Sequence, residues 1–344
     1  MASPVKPRWT AAVTAAAAVL TTLNLAIWLA GAAPRDVLPR IVEGTLGNAY
    51  GLGQTLAKAT PLLWTGGAVA LALRARLFNI GAEGQCLAGA LCCAVIGAAL
   101  PAGTPTLVAL PIALLAAAAG GAAPGALAGW LRGRFGTHEV LSTLMLNGLL
   151  AVLTTWLYSG PLRVGAQVHT REVVHGARLP MAHRLMNAFQ GSSLNAAFPL
   201  GVAALVLMAW YLHETRGGLA LRALGASPGA AEALGVDRAR TTTRAMALSG
   251  ALAGLGGVHF VLGVKGYGEQ GLGGGVGFVG IAVAMLGGGR PLGIVLAAVL
   301  FGMLAQGGLV VNATVPADVL NLAQAATIVA VAAVTARGAQ RAES

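Results

Sequence analysis

Charge is what this sequence has least of: 10% of its 344 residues are charged, and eleven are acidic. Soluble globular domains carry about a quarter charged residues, so an ordinary water-soluble fold is excluded. Cysteine is also scarce. Cys86, Cys92 and Cys93 fall in one apolar stretch, and the adjacent pair has no partner cluster. That pattern fits small packing residues and gives no metal or redox centre. The phosphate-cradling Gly-x-x-x-x-Gly-Lys-Ser/Thr loop is missing, so the chain is not expected to bind and hydrolyse ATP by itself. His-Glu-x-x-His and Cys-x-x-Cys are missing too, and no catalytic set stands out. The short alternating strands of a membrane β-barrel are not visible either.

What fills the space is apolar: 56% of residues are hydrophobic and the mean hydropathy is +0.76. Stretches of 17–25 such residues each span a bilayer as a helix. The fold class is therefore all-α and polytopic, a single transmembrane domain over residues 1–344. Ten spans are predicted, near residues 10–32, 61–77, 80–100, 106–131, 139–158, 196–213, 245–263, 276–287, 291–310 and 319–335. Fifty glycines suit close helix packing in lipid. Lys6 and Arg8 before the first span, with Ala30-Gly31-Ala32 after it, imitate a signal peptide. The run is longer than a signal core, which favours an uncleaved helix.

The net charge of +11 does not imply nucleic acid, because the arginines lie singly or in pairs at the ends of apolar runs. Positive charge so placed sets topology. With the N-terminus in the cytoplasm, fourteen Lys and Arg fall inside and eight outside, the outside set including Lys58 and Lys265. A plasma-membrane protein with both termini cytoplasmic is expected. Segment 160–195 is then extracytoplasmic. Its Arg163, Arg171, Arg178 and Arg184 make it either a solvated loop or a docking surface for a partner with acidic lobes. Its histidines, His169, His175 and His183, are not spaced as a compact metal site.

Segment 214–244 is cytoplasmic on this count. Within it Ser227 can cap a helix, Pro228 can open it and Gly235 can end it. Two turns are too short to stand alone in water. The segment is a structural link or, on the stronger reading, a docking helix flanked by Arg222, with Ala230, Ala231, Glu232 and Leu234 along it.

Phe78-Asn79-Ile80-Gly81-Ala82-Glu83-Gly84-Gln85 opens the third span. An acid at membrane depth costs roughly 2.5–3.5 kcal/mol on insertion scales, so Glu83 is a functional candidate. A continuous helix would put Asn79, Glu83, Cys86 and Ala90 on one face and Gly81, Gly84 and Ala88 on the other. Glu139, Thr143, Asn147 and Thr154 share a face of the fifth span, either as interhelical hydrogen bonds or as a second polar wall. Asn79, Glu83, Gln85, Thr143 and Asn147 are thus the candidate substrate pathway. A second break, near residues 271–280, falls in a group of four spans opposite in direction to the group holding the first break. Two units of inverted topology are a recurring transporter plan.

Four blocks carry a family resemblance. Residues 77–85, Leu-Phe-Asn-Ile-Gly-Ala-Glu-Gly-Gln, resemble the signature of nucleoside and simple-sugar ABC importer permeases. Residues 138–147 are similar to that family's next motif, with His138 where an asparagine is expected. Residues 221–236 resemble its cytoplasmic coupling segment, and residues 278–287 a fourth block. The blocks stand in order across residues 55–310. The resemblance implies a permease subunit of the type II importer class, related to branched-chain amino-acid and ribose permeases. It implies a second homologous permease or a copy of this chain, a cytoplasmic ABC ATPase that holds ATP and Mg2+, and an extracytoplasmic solute-binding protein. The rivals are a sugar or branched-chain amino-acid permease, an ion-coupled secondary transporter using Glu83, and an integral-membrane enzyme.

Overall fold

The computed structural model describes residues 9–316 except Leu185, together with residues 319, 322, 324–326 and 329. The helices are α1 (Trp9–Leu29), α2 (Pro34–Thr45), α3 (Ala49–Leu73), α4 (Ala82–Ala99), α5 (Thr106–Phe135) and α6 (Glu139–Ser159), followed by α7 (Ala197–Glu214), α8 (Arg216–Ala226), α9 (Pro228–Ala233), α10 (Arg238–Gly256), α11 (Val276–Leu286) and α12 (Pro291–Val310). A wide π-helical turn, His259–Lys265, extends α10. Among the described residues, seven helices are long and apolar enough to cross a membrane: α3 to α7, α10 with its extension, and α12. The count of ten is not confirmed: the first predicted span falls on α1, which is not among the seven. The span at 276–287 is an eleven-residue helix, α11. The one at 319–335 lies largely outside the described residues.

Two boundaries move. The second span begins at Ala49, twelve residues before Pro61, which sits inside α3. Asn48 caps it, its Oδ1 accepting from the Gly51 N–H at 2.7 Å. Tyr50, Gln54 and Lys58 recur every fourth residue there and lower the hydropathy, while the small residues between them are buried. Lys58 therefore lies in a span and not in a loop. Segment 214–244 is mostly helical, carrying α8, α9 and the first turns of α10.

Small residues set the packing. Gly121, Gly125, Gly129 and Gly133 lie at four-residue spacing along α5, against Gly250, Met246, Thr243 and Ala239 of antiparallel α10. A Cβ at Gly121 or Gly250 would overlap the other helix's carbonyl, so backbone meets backbone.

Helix contacts exchange in pairs. α3 packs on α12 and α11, α10 packs on α5 and α4, and α3 with α10 and α4 with α11 touch each other. Exchanging α3, α4 and α5 for α10, α11 and α12 leaves this pattern unchanged. Within each exchanged pair the helices run in opposite directions, as two inverted units require.

Segment 160–195 is solvated over much of its length, with residues 163–168 exposed, but it is not free of the bundle. Val173, Ala177, Leu179 and Leu194 are buried in it. Its backbone bonds to Gly97, Leu262, Gly266 and Gly268, so it closes one end of the bundle. The opposite end carries α8 and α9.

Candidate functional site

The two breaks meet. Residues 74–81 leave α3, turn back and place the N-terminus of α4 beside the N-terminus of α11. Thr65 fixes the level: its Oγ1 donates to the Val276 carbonyl at 3.0 Å. Thr65 is sixteen residues into α3, about 24 Å from one end and 12 Å from the other. From this level α4 runs toward the end closed by segment 160–195, where Gly97 meets Val173. α11 runs toward the other end, where Arg74 donates to the Gly289 carbonyl at 2.7 Å.

Glu83 joins the halves. Its carboxylate accepts from the Gly275 N–H at 3.0 Å and the Gly277 N–H at 2.6 Å. These are open donors at the start of α11, where the helix dipole favours negative charge. Glu83 itself is half-buried and belongs to the first turn of α4. One carboxylate thus sits where two half-helices present their positive ends. Gly277 is required by proximity, since a Cβ there would overlap the Glu83 backbone.

Asn79 is not on α4. It lies in the turn before the helix and is fully buried, so the single face joining it to Glu83 does not form. Its four hydrogen-bonding sites are all used. Oδ1 accepts from the Gly81 N–H at 2.9 Å and from Gln85 Nε2 at 3.1 Å. Nδ2 donates to Gln85 Oε1 at 2.8 Å and to Ser249 Oγ at 2.7 Å. Ser249 in turn donates to the Ala68 carbonyl at 2.7 Å. Ser249 was not singled out by sequence; a lone hydroxyl in the small-residue run of α10 was the available signal.

Asn147 braces the same turn from α6. Its Oδ1 accepts from the Gly84 N–H and its Nδ2 donates to the Ile80 carbonyl, both at 2.9 Å. Thr143 and Thr154 bond back to their own helix, to the carbonyls of Glu139 and Leu150 at 2.8 Å each. Of that polar face only Asn147 bonds across helices with its side chain at this level. Glu139 is buried at the start of α6, with Arg132 Nη1 of α5 3.2 Å away. Asn79, Gln85, Thr143 and Asn147 are thus all buried, with Asn79, Gln85 and Asn147 bracing the re-entrant turn by hydrogen bonds, and Glu83 alone of the five is partly open.

At the α8–α9 end, Ser227 caps α9, its Oγ accepting from the Ala230 N–H at 3.4 Å, with Pro228 in the first turn. Gly235 has a φ of +85°, the left-handed conformation that stops a helix. Ala230, Glu232, Ala233 and Leu234 are exposed, Leu234 by 83%. Ala231, expected on the docking face, is 1% exposed and packs into the permease itself. Arg222 Nε is buried without a partner. Residues 225–229 also spell Gly-x-Ser-x-Gly. The hydrolase elbow needs a strand before the serine; here α8 precedes it and Ser227 is spent as a cap.

A bundle of spanning helices, two inverted units and a pair of half-helices meeting at an acid define a membrane transport protein. The chain belongs to the family described as branched-chain amino acid transport system / permease component, which matches residues 51–332. The guanosine ABC transporter permease protein NupP of Bacillus subtilis is 36% identical over 84% of this chain and 83% of its own. The nucleoside ABC transporter permease protein NupB of Lactococcus lactis subsp. cremoris is 32% identical over 82% of this chain and 79% of its own. The glucose ABC transporter permease protein TsgB13 of Haloferax volcanii is 31% identical over 94% of this chain and 87% of its own. No solved structure matches the chain. It is a multi-pass membrane transport component.

Proposed function

We propose that this chain is the membrane-spanning permease of an ATP-driven importer of nucleosides. The observation that carries the substrate is the similarity, over more than four fifths of the chain, to permeases named for nucleoside and guanosine. The inverted half-helices give the means: two units rocking about a central junction open the route to one side and then the other. A cytoplasmic ABC ATPase binds ATP and Mg2+ and drives the movement through α8 and α9. A second homologous permease, or a copy of this one, completes the route. An extracytoplasmic solute-binding protein delivers the solute at the end closed by segment 160–195. Both termini then lie in the cytoplasm of a plasma-membrane protein. Glucose is the second reading, favoured by the relative from Haloferax volcanii.

Reconstitution with the partner ATPase and solute receptor tests the proposal. Nucleoside uptake should require ATP and persist when ion gradients are collapsed. Uptake that follows an ion gradient, or that carries hexose and no nucleoside, refutes it. Orientation is tested in a background without Cys86, Cys92 and Cys93. Asn187→Cys should react with an impermeant thiol reagent in intact cells and Ser227→Cys should not; the reverse pattern inverts the topology.

A further inference from the structure

α3 is buried along most of its length, yet two of its residues are exposed, Tyr50 and Lys58. With half-buried Gln54 they form one stripe at four-residue spacing. The stripe ends at Lys58: Pro61, Leu62 and Thr65 below it are buried. Lys58 is nine residues past Ala49, about 14 Å into the span. Among the described residues it forms no ion pair. A cation at that depth is costly against hydrocarbon, so its open side calls for a polar medium or a polar partner.

α10 runs antiparallel to α3, with Gly256 against Pro61 and Trp64, so buried His259, three residues further on in the π-helical turn that widens the end of α10, comes level with Lys58. Such turns re-aim side chains and occur often at functional sites. The tautomer of His259 follows from its neighbour. Asn195 Oδ1 accepts from the Ala197 N–H at 3.0 Å, and its Nδ2 donates to the Ser193 carbonyl at 3.1 Å. Those two backbone groups fix which way the amide points. Nδ2, 3.1 Å from His259 Nδ1, is therefore the donor there as well. Nδ1 must accept, so the ring is neutral and its proton is on Nε2. Lys58 and His259 together offer only donors.

Building on the nucleoside reading, we propose that Lys58, with buried His259 behind it, forms a solute contact on the outer part of the route, one that takes the hydroxyl and carbonyl acceptors of a nucleoside. Tyr50 and Gln54 form the wall above it: Gln54 Nε2 donates to Tyr50 Oη at 3.2 Å, and Gln54 Oε1 accepts from the Ser193 N–H at 3.4 Å.

The test uses the assembled transporter without its three native cysteines. Lys58→Cys should react with an impermeant thiol reagent in intact cells. A purine nucleoside at ten times its Kd should slow that reaction about tenfold, and Asn187→Cys, outside the contact, should be labelled at the same rate with or without it. In the reconstituted complex, Lys58→Met should lower uptake at saturating solute about tenfold, while receptor-stimulated ATP hydrolysis persists and Lys58→Arg restores uptake. A merely structural lysine would lower both readouts. Position 58 unreactive, or labelled at a rate no transported solute changes, overturns the contact. If hexose protects and nucleoside does not, the contact stands and the substrate reading fails.

Discussion

The junction at Glu83 and the tip at α9 are both short segments broken by glycine, and they differ in where their bonds go. At the junction, Asn79 spends all four of its hydrogen-bonding sites within the protein, and Glu83 spends both oxygens on α11. At the tip, the side-chain cap bond of a six-residue helix is long, Ala231 is the one buried residue of that helix, and Leu234 at its end faces outward. The first region has satisfied itself. The second has surface left to give to another protein, and six residues of helix gain little stability without one.

The contrast breaks most sharply at Gly277. Gly277→Leu forces a side chain into the Glu83 backbone, at a cost above the ~1–3 kcal/mol of an overpacked core. We expect almost no monodisperse protein in detergent; normal yield would mean that the two helix ends are not held together. Next is Asn79→Leu, which strands Gln85, the Gly81 N–H and Ser249, at about 2–4 kcal/mol by thermal unfolding. Glu83→Gln keeps the shape but offers an N–H2 to one of two N–H donors, losing about 1.5–3 kcal/mol and a charged acceptor. Uptake should fall in Glu83→Gln at equal amounts of assembled complex. Normal uptake in both Glu83→Gln and Asn79→Ala would remove the pair from the transport mechanism.

At the tip the effects on the permease shrink while those on its partner remain. Leu234→Glu should leave the unfolding temperature unchanged, within about 0.5 kcal/mol, yet lose the co-purifying ATPase. Wild-type retention would place the coupling contact elsewhere. Ala231→Trp should behave in the opposite way and destabilise the permease, because Ala231 faces inward. Smallest is Ser227→Ala, about 0.5–1 kcal/mol of local helix stability. It should be seen as faster amide exchange confined to α9, and exchange unchanged there would discount the cap.

Most of the spans could be read from hydropathy because lipid imposes one requirement on every turn of a helix. The first three turns of α3 could not, since Gln54 and Lys58 supply polarity on one stripe while the buried face stays small and apolar. Both breaks were visible as glycine and polar letters. Their contact was not, because Glu83 and Gly277 are 194 positions apart and nothing local records the pairing. Asn79 was legible as unusual, but its role as the centre of a buried network depends on Ser249, an ordinary serine until α10 brings it within reach. The ends of α9 were legible residue by residue, because capping is a local matter. Which way Ala231 points was not, because that is decided by what lies beneath it.

Glu83 and Gly277 are each the second residue of their half-helix. They occupy equivalent places in the two inverted units, and they cannot be alike. Two acids there would bring like charges together where there is no room for either side chain. Two glycines would leave both helix ends without a counter-charge. Two units exchanged by one axis call for two equal halves, and the centre forbids it. Faint likeness between the halves is therefore to be expected around this point, since the axis that relates them passes close to the one position where a perfect copy would fail.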